Sequence, residues 1–261
     1  MHDLDNLEIN SISKSALLTA ALHYLSGAGN KYPWEILGLD TPGDIRTSFT
    51  VSIDQPDQMI DEIINSPYPI IKIKMGFEED DLLIRGLSKI RGKIFRIDAN
   101  GGWNLEKAEK MIFLLSGIDI ELIEQPTTIE HVDQWKYLKG KCRVPIFIDE
   151  GLNSEEDYFR FADYVDGVNI KMSKSGGIIE ARKIALSARK DRRKIMLGCM
   201  VESSLGIAPA VYLSSLADYF DLDGPLLLEE DIATGINFNL EMVTVAEDII
   251  GGPKLKEKYA G

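Results

Sequence analysis

At 261 residues, 44% apolar and 27% charged, the chain has the make-up of a globular protein with room for one large core or two small ones, and its net charge of −13 argues against a role on nucleic acid or an anionic membrane. Two cysteines, Cys142 and Cys199, and three histidines, His2, His23 and His131, lack the spacing of a zinc site, a disulfide scaffold or a histidine-based triad, so carboxylates and lysines must carry any chemistry. The stretch "ALLTAALHYL" is too short to span a bilayer and no cleavable leader follows Met1, so a cytoplasmic location is expected.

Residues 1–45 read mainly as helix, through "SISKSALLTAALHYLSGAGNKYPWEILG". Beyond them, short β-branched runs alternate with amphipathic stretches, the pattern of successive β-α units and a parallel sheet. The first run, "TSFTVSI", carries Thr50. The second, "IIKIKM", places Lys72 and Lys74 two positions apart and therefore on one face of a strand, either to guard a sheet edge or because something there wants two cations. The third, "KIFRIDA", holds Asp98 and leads to the helical "NLEKAEKMIFLLSG", with Asn104 as its N-cap and Gly117 as its stop. Glu124 lies in the fourth, "IELIEQ", and Asp149 in the fifth, "PIFIDE", after which Ser154 opens the helical "SEEDYFRFADYV". The sixth, "GVNIKM", holds Lys171; Lys174 follows, and "SGGIIEA" reads as a tight turn into a helix. Cys199 and Met200 close the seventh, "KIMLGCM", and Asp221 and Asp223 share the eighth, "YFDLD". No GxGxxG or Walker-type loop occurs.

Eight strands with intervening helices favour an α/β fold of the TIM-like (β/α) barrel type over an open doubly wound sheet. Lys74, Asp98, Glu124, Asp149, Lys171, Cys199 and Asp221 fall at or near predicted strand ends, separated by 24, 26, 25, 22, 28 and 22 positions, one β-α unit each. In a barrel such ends converge on one site. Any single acid could cap the helix that follows, but three on consecutive strands supply hard oxygen ligands suited to Mg²⁺ or Mn²⁺. Lysines beside such an ion, desolvated and repelled by like charge, lose pKa and become bases. A substrate carboxylate on the metal then favours an enediolate when one lysine takes the α-proton and another returns it from the opposite face. The spacing of Asp221 and Asp223 puts them on one strand face, a cation-binding arrangement whose bland rival is turn chemistry before Gly224-Pro225.

"KIKMG", "RIDANGGW", "IELIEQP", "PIFIDEG", "NIKMSKSGG" and "GCMVESSLG", in this order, resemble the enolase superfamily barrel, in particular its muconate-lactonising subgroup, over about residues 10–231. The resemblance implies a (β/α)7β barrel, Mg²⁺ as cofactor with Asp98, Glu124 and Asp149 as its ligands, Lys74 and Lys171 as the acid/base pair, and Lys72 assisting the substrate carboxylate. The paired aspartates of the eighth strand resemble those of dipeptide epimerases, which implies that Asp221 and Asp223 bind the α-ammonium group of a small dipeptide of Ala-Glu type. Thr50, Cys199, Met200 and Lys174 are the further expected substrate contacts. Cycloisomerase or o-succinylbenzoate synthase-like chemistry, and a Schiff-base lyase using Lys171, are the rival reactions.

Members of this family normally begin with an α+β capping domain. Here residues 1–45 resemble only its last helices and linker, residues 46–231 the barrel, and residues 232–261 a C-terminal tail expected to pack on barrel and cap, with apolar residues that could lack a partner. A shortened product, a cap supplied by a second polypeptide, and a non-catalytic barrel are the three expectations this raises. The expected partners are thus a dipeptide and either a separate capping polypeptide or a second copy of the chain, with no nucleic acid and no membrane.

Overall fold

The computed structural model describes residues 1–259; Ala260 and Gly261, the end of the expected tail, lie outside the described residues. Eight parallel strands form one sheet in sequential order: β1 (Phe49–Val51), β2 (Ile70–Lys74), β3 (Ile94–Asp98), β4 (Ile120–Glu124), β5 (Ile146–Ile148), β6 (Gly167–Lys171), β7 (Lys194–Gly198) and β8 (Tyr219–Asp221). With its connecting helices this is an α/β fold with the strand order of a (β/α)7β barrel. Each predicted run contains one observed strand, trimmed where the chain turns out of the ladder.

By internal contacts the chain divides into two compact units, residues 48–151 with 159–168, and residues 1–47 with 152–158 and the chain from Asn169 onward. In the first unit Ile70, Ile71, Lys72 and Ile73 of β2 are all buried, as are Phe95, Arg96, Ile97 and Asp98 of β3. Burial of alternate and intervening residues alike means that both faces of the sheet are covered, as parallel sheets require. Met59 and Ile63 of helix Pro56–Asn65 reach 0% exposure, and each such side chain contributes about 1.5–3 kcal/mol of burial. Asn104 caps helix Leu105–Leu115 as expected, its Oδ1 accepting from Lys107 N at 2.8 Å. Gly167 packs closely on β5: a Cβ there would lie 2.4 Å from the ring of Phe147, which would have to move.

In the second unit the residues read as helix do form helices, Ser11–Gly29 and Pro33–Ile36. The longer is capped by Asn10, which accepts from Ser13 N at 2.9 Å, and buries Leu18 and Leu22. In the tail, strands Ile236–Asn239 and Met242–Val245 pair antiparallel, and Ile45–Arg46 adds to their edge. Ile236, Val243 and Ile249 are buried within this unit, while Leu240 and Leu255 of the tail are each 44% exposed. Among the described residues no helix is long and apolar enough to cross a membrane.

His23 of the long helix stands edge-on to the ring of Tyr212, Nε2 and Oη 3.1 Å apart, and burial pushes its pKa from 6.5 down to about 4. A folded pKa below the unfolded one means that His23 must be neutral for full stability. That contribution is complete above pH 6.5 and lost as pH falls toward 4. His23→Gln is expected to flatten this limb of the stability profile by about 1–2 kcal/mol, after discounting the part of the ring that faces solvent, as read by urea unfolding at several pH values.

Candidate active site

In the first unit the predicted site residues meet at one end of the sheet. Lys74, Asp98 and Glu124 are the last residues of β2, β3 and β4, and Asp149 follows the last residue of β5. The ladder registers Lys74 with Asp98 and Asp98 with Glu124, so these three strand ends finish level, while Glu124 pairs with Phe147 and Asp149 follows two residues beyond that rung. Lys72 is 2% exposed, and its Nζ lies 2.9 Å from both Asp98 Oδ2 and Glu124 Oε2. Lys74 Nζ donates to the same Asp98 oxygen at 2.7 Å. The two ammonium groups share a face, as their spacing predicted, and the bland reading of an edge strand fails because β2 is paired on both sides. Thr50 lies in mid-β1, in register with Lys72.

Asp98, Glu124 and Asp149 are 0%, 0% and 3% exposed. Burial pushes the Asp98 carboxyl upward, but the charges of Lys72 and Lys74, with the Lys74 hydrogen bond, prevail and hold it below the usual carboxylate value, while Asp149 opposes them. Buried carboxylates persist as anions only beside cations, and here the lysines supply them. Among the described residues no three acidic, cysteine or histidine groups are drawn together at coordinating distance. The donor chemistry nevertheless fits a hard divalent cation: three buried carboxylates from consecutive strands, two of them already closed on a positive group.

One buried acid escaped the sequence reading. Asp80 is 0% exposed, accepts from Gly76 N at 3.1 Å and Trp103 Nε1 at 2.6 Å, and pairs with Lys107 at 2.9 Å. It ties the loop after β2 to the loop after β3. Gly76 makes this possible: at φ 103°, a Cβ would lie 2.5 Å from Ala99 O. In sequence Asp80 looks like any acid in a helix's first turn.

In the second unit Lys171 ends β6 and is 7% exposed. Lys174 lies in the short helix Met172–Ser175, and Gly176 and Gly177, at φ 75° and 111°, make the expected tight turn into helix Ile178–Lys190. Cys199 follows the last residue of β7, and its Sγ accepts from Gly224 N at 3.3 Å. Burial, with the charges of Asp223 and Asp221, pushes its thiol well above the ordinary value, which disfavours the thiolate form. Asp221 ends β8, but Asp223 lies beyond the strand at φ −81°, ψ 1°, opening the turn Gly224–Leu227. The strand-face argument for the pair is therefore corrected: turn chemistry sets the backbone of Asp223. Both carboxylates are still only 4% exposed, and both act on Cys199. Two buried anions so placed suit a cationic ligand.

Met200 is 55% exposed. Glu202, which lies in the "CMVES" stretch with Cys199 and Met200, accepts through Oε1 from Met200 N at 2.9 Å. Burial raises its carboxyl pKa, against the Met200 hydrogen bond and the charge of Lys171.

A family model described as "Enolase C-terminal domain-like" matches residues 57–238. The chain is 35% identical over 203 residues to the L-Ala-D/L-amino acid epimerase of Flavobacterium johnsoniae, covering 78% of this chain and 60% of that protein. It is 39% identical over 202 residues to the hydrophobic dipeptide epimerase of Roseobacter litoralis, covering 74% and 59%. The chain thus spans about three-fifths of the length of these two curated relatives. The crystal structure of a dipeptide epimerase from Cytophaga hutchinsonii complexed with Mg and D-Ala-L-Val superimposes with a TM-score of 0.88 at 29% identity, over 97% of this chain and 73% of that one.

Proposed function

This chain belongs to the enolase C-terminal domain-like family, and on that premise we propose that it is a Mg²⁺-dependent dipeptide epimerase, inverting the α-carbon of the C-terminal residue of a small dipeptide. The observation that carries the reading is the ends of β2 to β5, where two ammonium groups pair with the buried carboxylates of Asp98 and Glu124 and a third buried carboxylate, Asp149, follows the next strand. Asp98, Glu124 and Asp149 would hold Mg²⁺, or Mn²⁺ in its place. When bound, the ion draws negative charge onto the substrate carboxylate and so acidifies the adjacent α-carbon. Lys72 supports the same carboxylate. Lys74 and Lys171 exchange the α-proton: one takes it, the other returns a proton, and inversion follows when they act on opposite faces of that carbon. Glu202, close enough to Lys171 for their charges to interact, compensates the ammonium form of that lysine.

Asp221 and Asp223 bind the free α-ammonium group of the dipeptide, and Thr50, Cys199, Met200 and Lys174 complete the substrate contacts. An Ala-Glu type peptide and a dipeptide with an apolar side chain are the two substrate classes to assay, since relatives carry names of both kinds. The reaction suits the cytoplasm, where small peptides and Mg²⁺ are both at hand.

Chiral chromatography of L-Ala-L-Glu and L-Ala-L-Val incubated with protein and Mg²⁺ should show the second epimer appearing. Asp223→Asn should raise KM for these substrates by about 10-fold or more, because an ammonium group then faces one carboxylate instead of two. Cycloisomerase or o-succinylbenzoate synthase-like substrates lack that group, and under either rival reading the same variant would turn over at the parental rate.

A further inference from the structure

In a parallel ladder every second residue donates its N–H to a carbonyl of a given neighbouring strand, and its own carbonyl accepts from the residue two positions beyond that carbonyl. At the end of β4 this rule runs on as far as Gln125. Ala99 N donates to Glu124 O at 3.1 Å, and Gln125 N donates to Phe147 O at 2.9 Å. The next rung would bring Asp149 N to the Gln125 carbonyl. Gln125 instead has a left-handed backbone, φ 45°, and its carbonyl turns aside to accept from Gly101 N at 2.8 Å, in the loop after β3.

The missing rung is made by the side chain. Gln125 Oε1 accepts from Asp149 N at 3.0 Å, and Nε2 donates to Thr127 O at 3.2 Å, which fixes the end of the amide that faces Asp149. The residue is 1% exposed, so these bonds form away from competing water. A left-handed glutamine is unfavourable, and strain of this kind persists where the surroundings over-determine it. Glycine would adopt that backbone freely but could not supply the amide. A second left-handed residue lies one strand away: Asn100 at φ 45°, whose N donates to Asp98 Oδ1 and whose Nδ2 donates to Glu150 Oε1.

We propose that Gln125 is a positioning residue, whose carboxamide stands in for its own backbone carbonyl and sets Asp149 against Asp98 and Glu124. This rests on the reading that these three carboxylates hold a metal ion. Two variants separate its parts: Gln125→Met keeps the bulk and loses the amide, while Gln125→Gly also releases the backbone strain. Titration calorimetry with Mg²⁺ alone should show both binding about 10- to 100-fold more weakly than the parent, the usual effect of losing a group that orients a ligand. Hydrogen exchange of the Asp149 amide, measured without metal, should be faster in both. Met59→Ala, a core truncation in helix Pro56–Asn65, should lower the melting temperature and leave Mg²⁺ affinity at the parental value, and a merely structural role for Gln125 would make its variants behave the same way. Parental Mg²⁺ affinity in either Gln125 variant would overturn the proposal. If the parent itself binds no Mg²⁺, the epimerase reading falls, and the Asp149 amide decides alone: faster exchange in the variants supports its positioning by Gln125, and unchanged exchange refutes it.

Discussion

Lys171→Met should reduce epimerisation by about 10²- to 10⁴-fold, the scale of losing a general acid or base, while Mg²⁺ and dipeptide binding stay near their parental values. Methionine matches the length of the lysine stem and suits a site that is 7% exposed, so the fold should tolerate it. The informative readout is stereochemical. With two bases, removing one leaves the other able to exchange the α-proton of one epimer only, without inversion. Lys171→Met should therefore wash solvent deuterium into one epimer, and Lys74→Met into the other. Loss of exchange in both epimers from a single substitution would mean that one lysine serves both directions.

Asp98→Asn should cost more in stability than any other single change at the rim. Its carboxylate pairs with Lys72 at 2.9 Å and Lys74 at 2.7 Å, and Lys72 is 2% exposed. Removing one member of a buried pair leaves a charge without compensation, about 3–5 kcal/mol where no other partner exists. Lys72 keeps Glu124 at 2.9 Å, and the Lys74 side chain is 26% exposed, so about 2–4 kcal/mol is expected here. Urea unfolding measures the loss, and calorimetry should show no Mg²⁺ binding. The double variant Asp98→Asn/Lys72→Met should recover neither stability nor Mg²⁺ binding, because it also takes the Lys72 charge from the buried Glu124, its partner at 2.9 Å.

Much of this arrangement was legible in the sequence because a β-α unit has a nearly fixed length. Acids or lysines recurring at that interval land at strand ends, and Lys74, Asp98, Glu124 and Lys171 are each the last residue of a strand. Two-residue alternation fixed the shared face of Lys72 and Lys74 for the same reason. It failed for Asp221 and Asp223, where Gly224-Pro225 ends the strand after Asp221 and the period of two no longer applies. The groups that hold the rim in place were not legible. A left-handed glutamine has no sequence signature, since nothing in "EQP" says that the carbonyl of Gln125 will turn toward Gly101. Asp80 was hidden by helix chemistry, because an acid in a first turn has a sufficient local reason to be there.

Mass spectrometry of L-Ala-L-Glu and L-Ala-L-Val incubated in D₂O with Mg²⁺-loaded protein measures proton exchange at carbon without requiring that inversion be efficient. One deuterium per molecule should appear at the α-carbon of the C-terminal residue, and Lys171→Met should confine it to a single epimer. Folded, Mg²⁺-saturated protein that leaves every α-carbon of both peptides undeuterated would contradict proton transfer by these lysines.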